Sequence, residues 1–225
     1  MFTSLVKPLR KRILEFSGTP DAFLRHSKGV IHVGANTGQE RALYDLFDLE
    51  VLWIEPLAQA FTELEANIAV YPRQRALKAL VTDQDDREYE FHITSNAGES
   101  SSIFALKDHR DIWPDVTVER TEKLRSTRLS TLLASAAIDP TSFDTLVMDT
   151  QGSELLVLKG AGDLLRSLRF IKTEAADFEA YDGCCTVDDL RGYLEPIGFR
   201  EIGRTRFAER TGGGAYYNLI FRRSD

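Results

Sequence analysis

The stretch "VIHVGANTGQE", residues 30–40, passes from an apolar β-branched run through a glycine-bearing turn into a polar, helix-like segment. Valine and isoleucine favour a pleated strand. Gly34 then permits a backbone turn that bulkier residues resist, and "GQERALYDLFD" continues with helical spacing. The next apolar run, "EVLWIEP", is stopped by Pro56, and the amphipathic "LAQAFTELEANIAVY" follows it. A third run, "ALKALVTD", reads as one strand. Strands alternating with helices imply βαβ crossovers and a parallel sheet. Near-continuous apolar strands agree, because such strands are covered on both faces.

The rhythm breaks in the middle of the chain. "REYEFHITS" alternates as an edge or hairpin strand does, "NAGESSSIF" is a loop of small polar residues, and "DVTVERTEKLR" and "LSTLLASAAI" read as a strand and a short helix. The doubly wound pattern resumes with strand "DTLVMD", turn "TQGS", helix "ELLVLKGAGDLLRS" and strand "RFIKTEAA". After "YDGCC" comes helix "TVDDLRGYLEPIG", and the chain ends in the strands "FREIGRTRF" and "AYYNLIFRR", joined through "AERTGGG". Residues 1–16 carry Leu5, Leu9, Ile13 and Phe16 at helical spacing, with Lys7, Arg10, Lys11 and Arg12 between them. The expected organisation is a basic amphipathic helix and loop over 1–28 and one α/β domain over 29–225. The N-terminal helix packs on the domain edge, with weak contact to a membrane surface as the alternative.

Composition narrows the classes. A length of 225 residues with 43% hydrophobic residues suits one large domain. Acidic residues outnumber basic ones 35 to 28, for a net charge of −7, which argues against a general nucleic-acid binder. Cys184 and Cys185 are adjacent and are the only cysteines, so there is no disulfide framework and no zinc spacing. No metal site is expected. A reducing cytoplasm is the expected compartment. No apolar run nears the roughly 20 residues that span a bilayer.

The opening turn is neither of two familiar phosphate cradles. It lacks GxxxxGK[ST] and it lacks GxGxxG, since Ala35, Asn36 and Thr37 separate Gly34 from Gly38. Glu55 lies 21 residues beyond Gly34, at the end of the second strand. There a carboxylate can accept hydrogen bonds from both hydroxyls of a ribose, while it repels a 2′-phosphate. The implied ligand is a nucleoside without strong phosphate grips, and S-adenosylmethionine fits that description. Asp149 ends another apolar strand in "TLVMDTQGSELLVLKGA", which places it outside the carboxyl edge of the sheet, where ligands bind in open α/β folds. Gly152 permits a sharp turn, and Glu154 begins a helix whose N-terminus favours acids.

In this order, "VIHVGANTGQE", "WIEP", "LVMDTQGSELLVLKGA" and "IKTEAADFEAY" resemble the FkbM-type methyltransferases over about residues 29–200. The resemblance implies a class I Rossmann-like fold, seven strands with the last antiparallel and helices on both faces. It implies S-adenosylmethionine as donor and O-methylation of a hydroxyl on a saccharide or natural product. His32 departs from the family's common aspartate at that place, so either Asp149 or Glu40 would take more of the charge opposite the donor's amino-acid end, or the donor would bind more weakly. Ser130 likewise stands where an aspartate is common.

The donor is thus expected against His32, Gly34, Ala35, Asn36, Gly38, Glu55, Pro56 and Asp149, with Asp83 accepting from the adenine amino group. Candidate bases are Asp149, Glu174, His92 and Tyr181. Glu174 ends the apolar strand "RFIKTE", so Asp149 and Glu174 form the expected acidic pair at the transfer site. Ser101, Ser102 and Tyr181 are the expected acceptor contacts, and His26 and His109 read as surface positions. The acceptor would be a small molecule or glycan. Two rivals are a non-catalytic subunit with a degenerate pocket and, less favoured for lack of GxGxxG and Tyr-xxx-Lys, an NAD-linked oxidoreductase.

Overall fold

The computed structural model describes residues 20–224. The expected helix over residues 1–16 lies outside them. Residues 20–26 form a 3-10 helix whose Phe23 and Leu24 are buried, Phe23 standing 5.4 Å from the ring of Phe170. The segment before residue 29 therefore packs onto the domain from residue 20 onward.

The strand signals become a seven-stranded sheet. Its members are β1 (Gly29–Val33), β2 (Glu50–Glu55), β3 (Gln74–Lys78), β7 (Thr145–Met148), β8 (Phe170–Ala176), β9 (Phe199–Glu209) and β10 (Ala215–Arg223). They run in the order β3-β2-β1-β7-β8-β10-β9. The inner strands pair in parallel, and β10 inserts antiparallel to both β8 and β9. The expected class I arrangement with an antiparallel last strand is present. Strands β1 and β7 are buried along their whole length, as strands covered on both faces must be.

Helices α1 (Arg41–Leu46), α2 (Ala58–Ile68), α3 (Leu129–Ser135), α4 (Glu154–Ala161), α5 (Leu164–Ser167) and α6 (Val187–Leu194) cover the sheet. Leu64 and Ile68 of α2 join one core with Trp53 and Val30, while Val157, Leu158 and Leu190 join the core on the other face with Ile31 and Leu146. Helix α6 starts on a reciprocal cap between Thr186 and Asp189. The single helix expected from residue 154 onward is two: Gly162 adopts φ +56° and breaks it. No helix among the described residues is long and apolar enough to cross a membrane.

One strand departs from expectation. "ALKALVTD" splits at Ala79. Strand β3 stays in the main sheet, while β4 (Leu80–Thr82) pairs with β6 (Val118–Arg128), which also pairs with β5 (Glu88–Thr94). This second, three-stranded sheet holds the middle of the chain beside the carboxyl edge of the main one. The reversal of strand order falls at β1, between β2 and β7. That is the point where an open α/β sheet leaves a crevice.

Candidate active site

A cavity of about 420 Å³ fills this crevice, within the range of about 300–1,000 Å³ usual for small-molecule sites. Its floor is the carboxyl ends of β1, β2, β7 and β8. His32, Gly34, Ala35, Asn36, Glu55, Pro56, Ser101, Asp149, Glu174 and Tyr181 all line it, as expected.

Three expected contacts and one candidate base do not. Asp83 follows β4, which leaves the main sheet to pair with β6, so the carboxyl group is carried off the wall; its Oδ1 is buried with no partner among the described residues. Ser102 is inward but committed: its hydroxyl donates to the Gln151 carbonyl at 2.7 Å and accepts from the Phe104 N–H at 3.0 Å. Gly38 serves packing, since a Cβ there would stand 2.7 Å from Leu64 of α2. His92 sits on β5 beside Thr121 at 3.3 Å and faces away from the cavity. His109 corrects the surface expectation: it is 3% exposed and lines the cavity.

At the β1–β2 end, Glu55 is nearly buried. Its Oε2 accepts from the Asn36 N–H and its Oε1 from the Leu57 N–H, both at 2.9 Å. Burial raises its pKa to about 7 against the pull of those two N–H groups. A carboxylate has about four acceptor positions, so two remain for vicinal hydroxyls. Leu57, Leu80 and Phe91 provide an apolar slot beside it. His32 stacks on Trp53 at 4.9 Å, and its Nδ1 lies 3.1 Å from the Tyr44 hydroxyl. Burial lowers its pKa to about 4, so the imidazole is neutral. Glu40, 4.0 Å away on the same wall, supplies the negative charge that His32 does not.

At the β7–β8 end, Asp149 and Glu174 share the floor. Asp149 is only half-buried by surface area but is enclosed by the cavity walls. That burial, then the charges of Glu174 and Glu154, holds its carboxyl well above the usual carboxylate range. Glu174 is raised to about 7, chiefly by burial, with Lys172 opposing. Gln151 orients the pair: its amide N–H donates to Asp149 Oδ1 at 2.6 Å, and its Oε1 lies 2.6 Å from the Tyr181 hydroxyl. Glu154, read from sequence as a helix-start acid, is buried in the turn. It accepts from Thr150 N–H, Thr150 Oγ1 and Gly152 N–H at 2.8–3.2 Å, and from Cys185 Sγ. Burial pushes the Tyr181 phenol upward, which removes it as a base near neutral pH and leaves the two carboxylates.

The wall is acidic. Glu40, Glu55, Glu99, Asp149, Glu154 and Glu174 line it against, among the described residues, a single Lys or Arg, Lys172, which pairs with Asp21 at 2.7 Å. That donor set fits a cationic nucleoside such as S-adenosylmethionine and leaves a dinucleotide diphosphate unmatched.

These groups make stability fall with pH. Folded, Glu55 and Glu174 bind protons up to about pH 7, whereas their ordinary value is 4.5, so stability is lost as pH rises through that window. His32 and His109, both lowered from 6.5 to about 4, act oppositely, mainly below pH 6.5 and with a smaller offset just above it. Between pH 6.5 and 8 the carboxylates outweigh the histidines, and the ligand-free protein is expected to lose stability on the order of 1 kcal/mol. Calorimetry should then show a Tm about 2–4 °C lower at pH 8. An unchanged or higher Tm at pH 8 would contradict the assigned burial.

Two loops, residues 95–117 and 177–186, roof the cavity. Lys107 and His109 donate their N–H groups to the Ala180 carbonyl at 3.0 Å, and Asp182 donates to the Ala105 carbonyl at 2.9 Å. These contacts bring in His109 and Trp113, which sequence reasoning missed. Nothing near them in the chain signals a site, because only the loop-to-loop pairing puts them there.

A profile of the family described as "Methyltransferase FkbM domain" matches residues 32–201. The chain is 27% identical over 162 residues to the 2-O-methyltransferase NoeI of Sinorhizobium fredii, which covers 68% of this chain and 65% of that protein. Two solved structures share the fold. An O-methyltransferase from Bacillus cereus in complex with SAH gives a TM-score of 0.51 at 11% identity, covering 96% of this chain and 81% of that one. An uncharacterized protein from Listeria monocytogenes serotype 4b gives 0.52 at 10%, covering 96% and 67%. With the matched region running from His32 in the first strand to Glu201 in the ninth, the chain belongs to the FkbM family of S-adenosylmethionine-dependent methyltransferases.

Proposed function

We propose that this protein methylates a hydroxyl oxygen of a saccharide or natural-product small molecule. The observation that carries the reading is the pair Asp149 and Glu174, two carboxylates with raised proton affinity at the end of a donor-shaped cavity. Bound S-adenosylmethionine supplies an electrophilic methyl group. Glu55 would hold the ribose hydroxyls, Leu57, Leu80 and Phe91 the base, and Glu40 with the Gly34–Asn36 turn the amino-acid end. Glu174 accepts the proton of the acceptor hydroxyl on a carboxylate oxygen. Its pKa of about 7 makes it effective as a base near neutral pH. Asp149, oriented by Gln151, accepts a hydrogen bond from a neighbouring acceptor hydroxyl and fixes the approach of the oxygen.

The 2-O-methyltransferase relative supports oxygen as the methylated atom. The intact carboxylates argue against a degenerate binding subunit. Labelled methyl from S-adenosylmethionine should enter hydroxylated acceptors. In Glu174→Gln, kcat should fall by about 10²–10⁴-fold, the usual contribution of a general base, with donor affinity little changed. Binding of NAD in place of S-adenosylhomocysteine would sink the reading, as would full activity in Glu174→Gln.

A further inference from the structure

The donor that fits this cavity is not only cationic. The amino-acid end of S-adenosylmethionine carries an ammonium and a carboxylate, and the acidic wall that suits the first opposes the second. A carboxylate enclosed among carboxylates needs a cationic or hydrogen-bonding partner.

The backbone beside the crevice has few donors to give it. The N–H groups of Gly34 and Ala35 both go to the Ile54 carbonyl, at 3.0 and 3.1 Å, and that of Asn36 goes to Glu55. Across the crevice, Asp149 donates its N–H to the Val33 carbonyl, while Thr150 and Gly152 donate theirs to Glu154. These groups satisfy acceptors within the fold and are not left over for an anion.

Lys172 is placed to fill the need. It is the single Lys or Arg that lines the cavity among the described residues. His32, Val147 and Lys172 stand side by side across β1, β7 and β8, so they share one face of the sheet, and Glu174 follows two positions on along the same face. Burial comes first in setting the proton affinities of His32 and Glu174, but the Lys172 ammonium also lowers both, so its charge reaches two residues of the cavity. Its ion pair is with Asp21 of the 3-10 helix, at 2.7 Å, with the two side chains 19% and 28% exposed. Asp21 itself does not line the cavity. A carboxylate entering the cavity offers this ammonium the same charge and the same two oxygens that Asp21 does.

We propose that Asp21 holds Lys172 in the ligand-free protein as an internal stand-in for the donor's carboxylate, and that the donor displaces it. Lys172 then grips that carboxylate while Glu40 faces the ammonium. Binding of the donor gives up an ion pair between the sheet and the 3-10 helix, so the strength of that pair sets part of the donor's affinity. The inference concerns the donor and holds whatever hydroxyl is methylated.

The test is calorimetric titration at pH 8 with S-adenosylhomocysteine and with its decarboxylated analogue, which keeps the nucleoside, the thioether and the ammonium. In Lys172→Gln, affinity for S-adenosylhomocysteine should fall at least about tenfold, while affinity for the analogue stays within about twofold. Asp21→Asn should act in the opposite direction, tightening S-adenosylhomocysteine about threefold and leaving the analogue unchanged. In the double variant that gain should vanish, because Asp21 acts through Lys172. Equal losses for the two ligands in Lys172→Gln would make Lys172 a structural residue and overturn the inference, as would no loss. Should Lys172→Gln fail to fold, Asp21→Asn still decides: tighter S-adenosylhomocysteine with an unmoved analogue supports the exchange, and weaker or unchanged binding overturns it. Failure of the wild-type protein to bind S-adenosylhomocysteine removes the donor assignment, and this inference with it.

Discussion

Glu55→Ala is expected to weaken S-adenosylhomocysteine binding by at least about 100-fold at pH 8, measured by calorimetric titration. Two charge-assisted hydrogen bonds to the ribose, each contributing about 1.5–3 kcal/mol, account for that loss. Alanine also strips the acceptors from the Asn36 and Leu57 N–H groups, so the turn that shapes the amino-acid end loses its tie to β2. Glu55→Gln keeps one acceptor oxygen and the volume, and its loss should be smaller, about tenfold. The wild-type protein should itself bind more tightly as pH rises from 6 to 8. With a pKa of about 7, Glu55 becomes the charged acceptor across that interval, and affinity should level off above it. Affinity within threefold of wild type in Glu55→Ala would remove the carboxylate from the donor site.

The second large effect falls on folding. In Gly34→Ala the new Cβ would stand 1.8 Å from the Asp149 carbonyl oxygen and 2.7 Å from its carbon. Both atoms are backbone, so no side chain can turn aside. Gly34 also adopts φ +80°, a conformation that an L side chain strains. Its N–H donates to the Ile54 carbonyl at 3.0 Å while the Asp149 N–H donates to Val33 at 3.0 Å, so the residue is clamped between β2 and β7. Relief requires β1 and β7 to separate in the centre of the sheet. A destabilisation of at least about 4 kcal/mol is expected, the range in which core disruption unfolds proteins. The measurement is the urea midpoint, with soluble yield as a coarse check. A midpoint near that of wild type would mean that β1 and β7 lie farther apart than described. Gly38→Ala provides the contrast: its Cβ meets the tip of Leu64, which can shift, and a smaller loss is expected.

The sequence by itself determined the frame and the acids that stand on it. An apolar strand that ends in a carboxylate leaves that carboxylate at the sheet's carboxyl edge, whatever the rest of the chain does. Glu55, Asp149 and Glu174 were therefore legible from strand periodicity alone, and all three line the cavity. The Gly34 turn was legible for the same reason, because it is local to one βα junction.

Tertiary structure decided whatever depends on distant pairing. Asp83 follows an apolar run that looks continuous with β3, yet β4 finds its partner in β6, more than forty residues on, and carries the acid away. Ser102 and Ser101 are neighbours with the same hydroxyl. One donates to the Gln151 carbonyl, 49 positions later, and the other accepts from the Thr94 N–H while lining the cavity. His109 and Trp113 reach the cavity only because the Ala180 carbonyl anchors their loop, and His109 meets Tyr216 across 107 residues. Periodicity records which face of its own strand or helix a residue occupies. It holds no record of which loop closes over which strand end. Burial, and with it the neutral state of His32 and the raised pKa values of Glu55 and Glu174, follows from that closure.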